Sequence, residues 1–365
     1  VLGARLMAAL RRSDPEIVFA GIGGARMAEQ GLASRFPMQE LAVMGLAEIL
    51  PRILPLRRRI QETIAAILAA RPDIVVTIDS PGFCLRVLRG IAGAGIRRVH
   101  YVAPQVWAWR QARVKRFPGL WDALLCLLPF EPEFFAPHGL NPVFVGHPVL
   151  ESGADAGNAA KFRAAHGIAA GAVPVVLLPG SRVTETNRLL PVFRETVALL
   201  RQSVPNLLPI LAAAPGISEA VAAQTAGWAA PPIIIRDVAE RYDAFAAAAA
   251  ALTKSGTSTL ELAMAGVPMA VTYRVNPLSA AIGRRLIKVK HVGMINLLAG
   301  ETLVPELLQQ DSAPEKLAAT LRTLLTDEAA AARQRQGFAS ALATLRAPTG
   351  TPSDAAAAAI LALMP

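Results

Sequence analysis

Short apolar runs alternate with longer amphipathic stretches along most of the chain. The runs include Glu16 to Gly21, Ile74 to Ile78, Arg98 to Val102, Trp121 to Leu128 and Val143 to Val145. They resume with Pro174 to Leu178, Leu208 to Leu211, Ile233 to Ile235, the segment before Thr253, and Met269 to Tyr273. Most are apolar at consecutive positions, as expected of strands buried on both faces. The stretches between them are long enough for the crossover helices that parallel strands require. Helices are predicted over Leu2 to Arg12 and Glu185 to Gln202, with two or three more in the alanine-rich tail from Pro314 to Met364. This alternation predicts an α/β fold whose parallel sheets are covered on both faces. The pattern breaks at Glu151 to Ala160, which is rich in Gly, Ala, Ser and Asp. We read that segment as the linker between two α/β domains, residues 1–150 and 151–345, with 346–365 a terminal helix. The chain opens on a helix, so a first strand and its loop are expected ahead of Val1.

Composition narrows the class. A length of 365 residues suits two domains, and 53% hydrophobic with 18% charged residues supplies sizeable cores. Cys84 and Cys126 stand in apolar surroundings, as reduced core thiols of a cytosolic protein would. No apolar span is long enough for a membrane helix. The net charge of +10 calls for an acidic partner: nucleic acid, an anionic membrane or a phosphorylated ligand. With 5% aromatic residues and no nucleic-acid motif, nucleic acid is the least favoured of the three. The segment Leu41 to Ala70 favours a membrane surface. Val43, Met44, Leu46, Ile49, Leu50, Ile53 and Leu54 form an apolar run broken by Pro51 and Pro55, with Arg52, Arg57, Arg58 and Arg59 beside it. A core-facing helix with a solvated arginine edge is the alternative. A second basic apolar stretch carries Arg284, Arg285, Lys288 and Lys290.

Candidate chemistry collects where strands end, the side on which open α/β sheets bind ligands. Ser255-Gly256-Thr257 is a small-residue loop opening a helix, so its free backbone N–H groups suit an anion. Glu261 lies four residues after Thr257 on the same helix face, placed to accept from the hydroxyls of a ribose. Alone, this stretch fits an ordinary strand–loop–helix turn equally well. Gly180-Ser181-Arg182 is a second such loop, whose amides and guanidinium suit a diphosphate; standing alone it also fits a helix cap with a surface arginine. No Gly-Lys-Ser/Thr follows it, so it is not a P-loop, and Arg26 stands where a dinucleotide fingerprint at Gly21 would need its third glycine. Asp79 closes the run Ile74 to Ile78 and is a candidate general base, best served by partial burial. Trp107, Trp109 and Arg110 follow the next run, with Arg113, Lys115 and Arg116 behind them. His147 ends a strand beside the linker, where a hinge or packing role and a catalytic one are equally open. There is no Asp-x-Asp, His-Glu-x-x-His or Cys-x-x-Cys, so neither a metal nor another cofactor is expected.

Several of these segments together resemble the lipid-A-disaccharide synthases. They are Ile78-Asp79-Ser80-Pro81-Gly82-Phe83, the stretch from His100 to Arg110 with its Trp107-Ala108-Trp109-Arg110 block, Leu178 to Arg182, Ser255 to Glu261, and Asn296 to Gly300. Their order is the family's, and they span nearly the whole chain. The Ser-Gly-Thr…Glu pattern is shared with many two-domain nucleotide-sugar enzymes, including epimerases and muramyl-lipid transferases; the Trp-Ala-Trp-Arg block is more specific. The resemblance implies two Rossmann-like domains facing a cleft, with a C-terminal helix returning to the first. It implies an inverting glycosyltransferase of lipid A synthesis in a Gram-negative bacterium, peripheral on the cytoplasmic face of the inner membrane. Its substrates would be UDP-diacylglucosamine and an acylated glucosamine phosphate, with no metal and with an oligomeric state left open, a homodimer among the options. On this reading Asp79 is the base, and Trp107, Trp109 and Arg110 meet the acceptor. Gly180, Ser181, Arg182, Ser255, Gly256, Thr257, Glu261 and Asn296 hold the donor, Asn296 by the match alone. Arg57, Arg58 and Arg59 touch the membrane.

Overall fold

The computed structural model describes residues 1–41, 53–276 and 288–364. The apolar run from Val43 to Leu50, and Arg52, Arg284 and Arg285, lie outside the described residues. The chain divides into two compact units, residues 1–148 with 345–365, and residues 149–344.

The first unit holds a parallel sheet of four strands in the order β1-β2-β3-β4. These are β1 (Ile74–Ile78), β2 (Arg97–Tyr101), β3 (Ala123–Cys126) and β4 (Pro142–Phe144). Helix α1 (Leu2–Ser13) buries Leu6, Ala9 and Leu10 against Val99, Tyr101 and Leu125. α2 (Ile53–Ala70) and α3 (Pro81–Gly90) cover a separate cluster of Phe36, Ile60, Phe83, Cys84 and Val87. The expected buried strand at Glu16 to Gly21 does not form. Ile17 and Phe19 pack at the edge of the core while Val18 points to solvent, and the pairing there is a single bridge between Gly21 and Ser34. The segment has one apolar face, but no described neighbouring strand takes its backbone hydrogen bonds.

The second unit holds six parallel strands in the order β10-β9-β8-β5-β6-β7. They are β5 (Val173–Leu178), β6 (Leu207–Ala212), β7 (Ile233–Ile235), β8 (Ala250–Lys254), β9 (Met269–Tyr273) and β10 (Glu306–Leu308). The chain winds outward from β5 through β6 to β7, then returns to the other side of β5 as β8. That reversal is a topological switch point, where the crossover helices diverge and leave a crevice at the strand ends. The register places Leu178 opposite Thr253, so both strands end side by side. After β5 comes α4 (Val183–Ser203), whose Leu189, Phe193 and Val197 enter a core shared with Val175, Leu177, Leu252 and Leu321. Before and after β8 come α5 (Val238–Ala247) and α6 (Ser258–Met264), followed by α7 (Met294–Ala299), α8 (Pro314–Thr326) and α9 (Glu328–Ala343).

The last helix, α10 (Pro352–Leu361), rejoins the first unit. Thr351 and Asp354 form a capping box at its start, and Ala356, Ala357 and Ile360 share the core under α1. The return passes Gly146, at φ +81°, where a Cβ would stand 2.7 Å from the Ala347 nitrogen. Next to it, His147 donates its backbone N–H to Leu345 O. The His147 ring is buried, which pushes its pKa down to about 4. Close packing against the returning chain accounts for Gly146.

Candidate active site

At the switch point the turn after β5 falls on Gly180, whose φ of +111° only glycine adopts without strain. Arg182 caps α4 with extended backbone, and its carbonyl takes the Thr186 hydroxyl at 2.8 Å. Its guanidinium meets Glu185 Oε1 at 2.9 Å, and Lys254 at the end of β8 meets the same oxygen at 3.1 Å. Next to Lys254, Ser255 donates its hydroxyl to Val292 O at 2.8 Å and its N–H to Thr272 O. Gly256 and Thr257 are exposed, and Ser181 is exposed on the neighbouring loop. Two small-residue loops and two cations therefore stand side by side.

Glu261 sits on the first turn of α6. Its Oε1 accepts from Arg241 Nη2 at 2.8 Å and from the Tyr242 hydroxyl at 3.0 Å. Both partners come from α5, so the carboxylate is held in place by two neighbours rather than freely solvated. Asn296 departs from its expected role. It is fully buried, with Nδ2 donating to Val304 O and Glu306 Oε1, and Oδ1 accepting from Val304 N–H. Glu306 in turn accepts from the N–H groups of Val292 and Gly293, both at 2.9 Å. Asn296 is thus a brace that reaches Ser255 through Glu306 and Val292, and both N–H bonds of its amide are spent inside the protein.

The first unit's strand ends look different. Asp79 and Ser80 after β1, Val102 after β2, and Arg110 further along that loop have φ of +50°, +44°, +77° and +53°. Such backbone costs on the order of 1–3 kcal/mol per residue and clusters at functional sites. Asp79 keeps its place in the ladder, donating its N–H to Tyr101 O at 2.9 Å. Its side chain is exposed, not partly buried as expected, because the left-handed turn carries residues 79–82 outward.

Trp107 is also misplaced by the sequence reading. It is 7% exposed, its ring stands edge-on to Phe130 at 4.8 Å, and its indole N–H donates to Glu131 Oε1 at 3.0 Å. The exposed members of the block are Trp109 and Arg110, whose guanidinium lies 4.8 Å from the Trp109 ring centre. Glu131 also accepts from the backbone N–H groups of Leu127 and Leu128. Burial pushes its pKa up to about 7 against the pull of these three donors. Nothing local in the sequence marks Glu131, because its partner Trp107 is too distant in sequence to signal the contact. Glu185 was within reach, since an acid three residues after a helix cap suits the positive end of the helix.

The basic stretch on α2 divides. Arg59 is tied to Glu40 at 2.7 Å and Glu62 at 2.8 Å and lies over the Phe36 ring. Arg58 pairs with Glu62 but stays exposed, and Arg57 and Leu54 are exposed. No described helix is long and apolar enough to cross a membrane, and no described cluster of three His, Cys, Asp or Glu side chains could hold a metal ion.

Comparison with known proteins follows the same lines. A solved glycotransferase of kitacinnamycin superposes with a TM-score of 0.61 at 18% identity, covering 100% of this chain and 95% of that one. A putative UDP-N-acetylglucosamine 2-epimerase from Listeria monocytogenes superposes with a TM-score of 0.60 at 15% identity, covering 98% and 91%. At these identities the likeness establishes the fold, that of the two-Rossmann-domain glycosyltransferases and epimerases. In sequence, the lipid-A-disaccharide synthase of Granulibacter bethesdensis is 58% identical over 375 residues, covering 100% of this chain and 95% of that protein. Residues 1–360 match the family described as lipid-A-disaccharide synthetase, and the chain belongs to that family.

Proposed function

We propose that the chain is an inverting glycosyltransferase that moves 2,3-diacylglucosamine from UDP to 2,3-diacylglucosamine 1-phosphate, giving lipid A disaccharide 1-phosphate and UDP. Family membership supports the reaction, and one observation supports the donor site. The Gly180–Arg182 and Ser255–Thr257 loops adjoin at the switch point of the second sheet. There Arg182, Ser181 and the amides of Gly256 and Thr257 neutralise the diphosphate, and Glu261, held by Arg241 and Tyr242, accepts from the ribose. Asn296 supports the Ser255 loop from behind.

The acceptor reading rests on the first unit. Asp79 takes the proton of the attacking hydroxyl as the anomeric carbon–oxygen bond to UDP breaks. The exposed Arg110 on Trp109 meets the acceptor phosphate, with Trp107 anchoring the block through Glu131. Arg57 and Arg58, beside exposed Leu54, meet an anionic membrane surface on the cytoplasmic side. Fixed cations at the leaving group supply the charge stabilisation that a metal gives in other transferases, so chelators should leave turnover unchanged.

The test is incubation with UDP-2,3-diacylglucosamine and 2,3-diacylglucosamine 1-phosphate, following disaccharide and UDP. Both should form in equal amounts. Epimerised UDP-sugar without disaccharide would overturn the reading.

A further inference from the structure

Glu185 is 7% exposed, yet it lies between two cations at the edge of the second sheet. Arg182 Nη1 and Lys254 Nζ both reach its Oε1, at 2.9 and 3.1 Å. Its other oxygen, Oε2, is buried with no hydrogen-bond partner among the described residues. That oxygen packs on the Gly180 turn, where an added Cβ would stand 2.5 Å from it. Lys254 is flanked by Tyr273, whose ring centre is 5.2 Å from Nζ. Tyr273 ends β9, so the cluster joins three adjacent strand ends.

The arrangement has a charge logic. One carboxylate between two cations leaves a net charge of about +1 at the loops. Placed behind the cations, it keeps the ligand-free site from holding two unpaired positive charges. An ammonium has three donors, so Lys254 retains N–H bonds beyond the one it gives Glu185. A partly buried lysine at a strand end is also a fixed point charge, the form in which lysine serves phosphate.

We infer that Lys254 is a second diphosphate-binding cation beside Arg182, and that Glu185 is the positioning residue that fixes both. This rests on the donor-site reading and extends it by two residues. Charge builds on the diphosphate as the anomeric bond breaks, and cations already locked on Glu185 need no reorganisation at that moment.

The experiment is calorimetric titration of the full chain with UDP at low salt, in parent, Arg182→Ala, Lys254→Met, Glu185→Gln and the Lys254→Met/Glu185→Gln double variant. Lys254→Met should weaken UDP about tenfold to a hundredfold, the loss of one charge-assisted hydrogen bond. Glu185→Gln should weaken it about tenfold, although it makes the site more positive. In the Lys254→Met background, Glu185→Gln should cost less, about threefold, because only its contact with Arg182 is left to lose. A merely structural Glu185 would instead lower the melting temperature and change UDP affinity equally in both backgrounds. Should the Gln variant not fold, Glu185→Asp, which keeps the charge but falls short of the cations, should show the same loss. Unchanged UDP affinity in Lys254→Met, with Arg182→Ala weakened, overturns this inference and leaves the donor site standing. Unchanged affinity in Arg182→Ala as well overturns the donor site itself.

Discussion

Where the second sheet ends, the tight turn falls on Gly180 at φ +111°, and Arg182, Glu185, Lys254, Arg241 and Glu261 all sit in ion pairs. Where the first sheet ends, turns fall on Asp79, Ser80, Val102 and Arg110, all at positive φ, and Asp79, Ser80 and Arg110 face solvent. Glycine takes such a turn at little cost, whereas a β-branched residue such as Val102 takes it only under strain. Around β5 and β8 the second edge is relaxed in backbone, its non-glycine positive φ falling on Gln309 beyond β10, and it is pre-paired in charge, which suits a constant ligand such as a nucleoside diphosphate. The other is strained in backbone and leaves its charged side chains open, which suits aiming groups at a reacting centre.

The sharpest way to break this contrast is Asp79→Asn. If the strained edge aims the base, turnover should fall about a hundred- to ten-thousand-fold, while UDP affinity by calorimetry stays at the parent level. Near-normal disaccharide formation would move the base elsewhere and leave the strain at Asp79 and Ser80 without a role.

Next in size is the carboxyl that anchors the first edge. Burial raises the pKa of Glu131 from 4.5 to about 7, so the folded chain binds its proton more tightly than the unfolded chain does. Its contribution to stability is therefore complete below about pH 4.5 and is lost as pH rises through about 7. The change is on the order of 3 kcal/mol across that window. His100 and His147, pushed down to about 4 by burial, slope the other way: their contribution is present above 6.5 and lost as pH falls through 4. Comparing parent with Glu131→Gln at each pH cancels the histidine slopes. The parent's advantage in chemical denaturation should shrink by that amount between pH 4.5 and 7.5, and a flat difference would show that Glu131 does not titrate there.

At the relaxed edge the expected effects are smaller. Arg182→Ala and Glu261→Gln should each weaken UDP about tenfold to a hundredfold by calorimetry, with kcat lowered less than kcat/KM. Loss of turnover in chelator, restored by a divalent ion, would show that the paired cations are not sufficient.

The two edges were not equally legible in the sequence. β5, β8 and β9 are buried on both faces, so their continuous apolar runs announced them, and the small-residue loops after β5 and β8 marked the side proposed for the donor. Glu16 to Gly21 misled because Ile17 and Phe19 pack inward without strand partners. Asn296 was found by its motif, but nothing local shows that its amide is bonded to Val304 and Glu306 rather than to a ligand. Trp107 shows the same limit, since its partner Glu131 comes from a different strand end. Positive φ at Val102 and Arg110 has no signature in residue type at all. Local periodicity reports burial; it does not report which polar atom a buried group faces.

The smallest expected effect concerns the membrane, and it sharpens the contrast by asking whether the first unit also meets lipid. The arginines of α2 are unequal. Arg59 bonds Glu40 and Glu62 and covers Phe36, so its charge is neutralised and its removal should loosen the packing there. Arg58 is 80% exposed in its side chain, and its pairing with Glu62 is screened by water. Arg57 is exposed, and Leu54, 75% exposed, supplies apolar contact beside them. Each cation near an anionic surface contributes about 1 kcal/mol, within a Debye length of about 8–10 Å. Arg57→Ser with Arg58→Ser should therefore weaken sedimentation with anionic vesicles by up to about thirtyfold at low salt, and little at high salt or with neutral vesicles. UDP affinity should not change, and the KM for vesicle-borne acceptor should rise. Arg59→Ser should instead lower the melting temperature with little effect on vesicle binding. If the Arg57/Arg58 pair proves neutral, α2 is a solvated helix face, and the lysines at 288 and 290 in the second unit become the surface to test, which would place lipid on the relaxed side of the contrast.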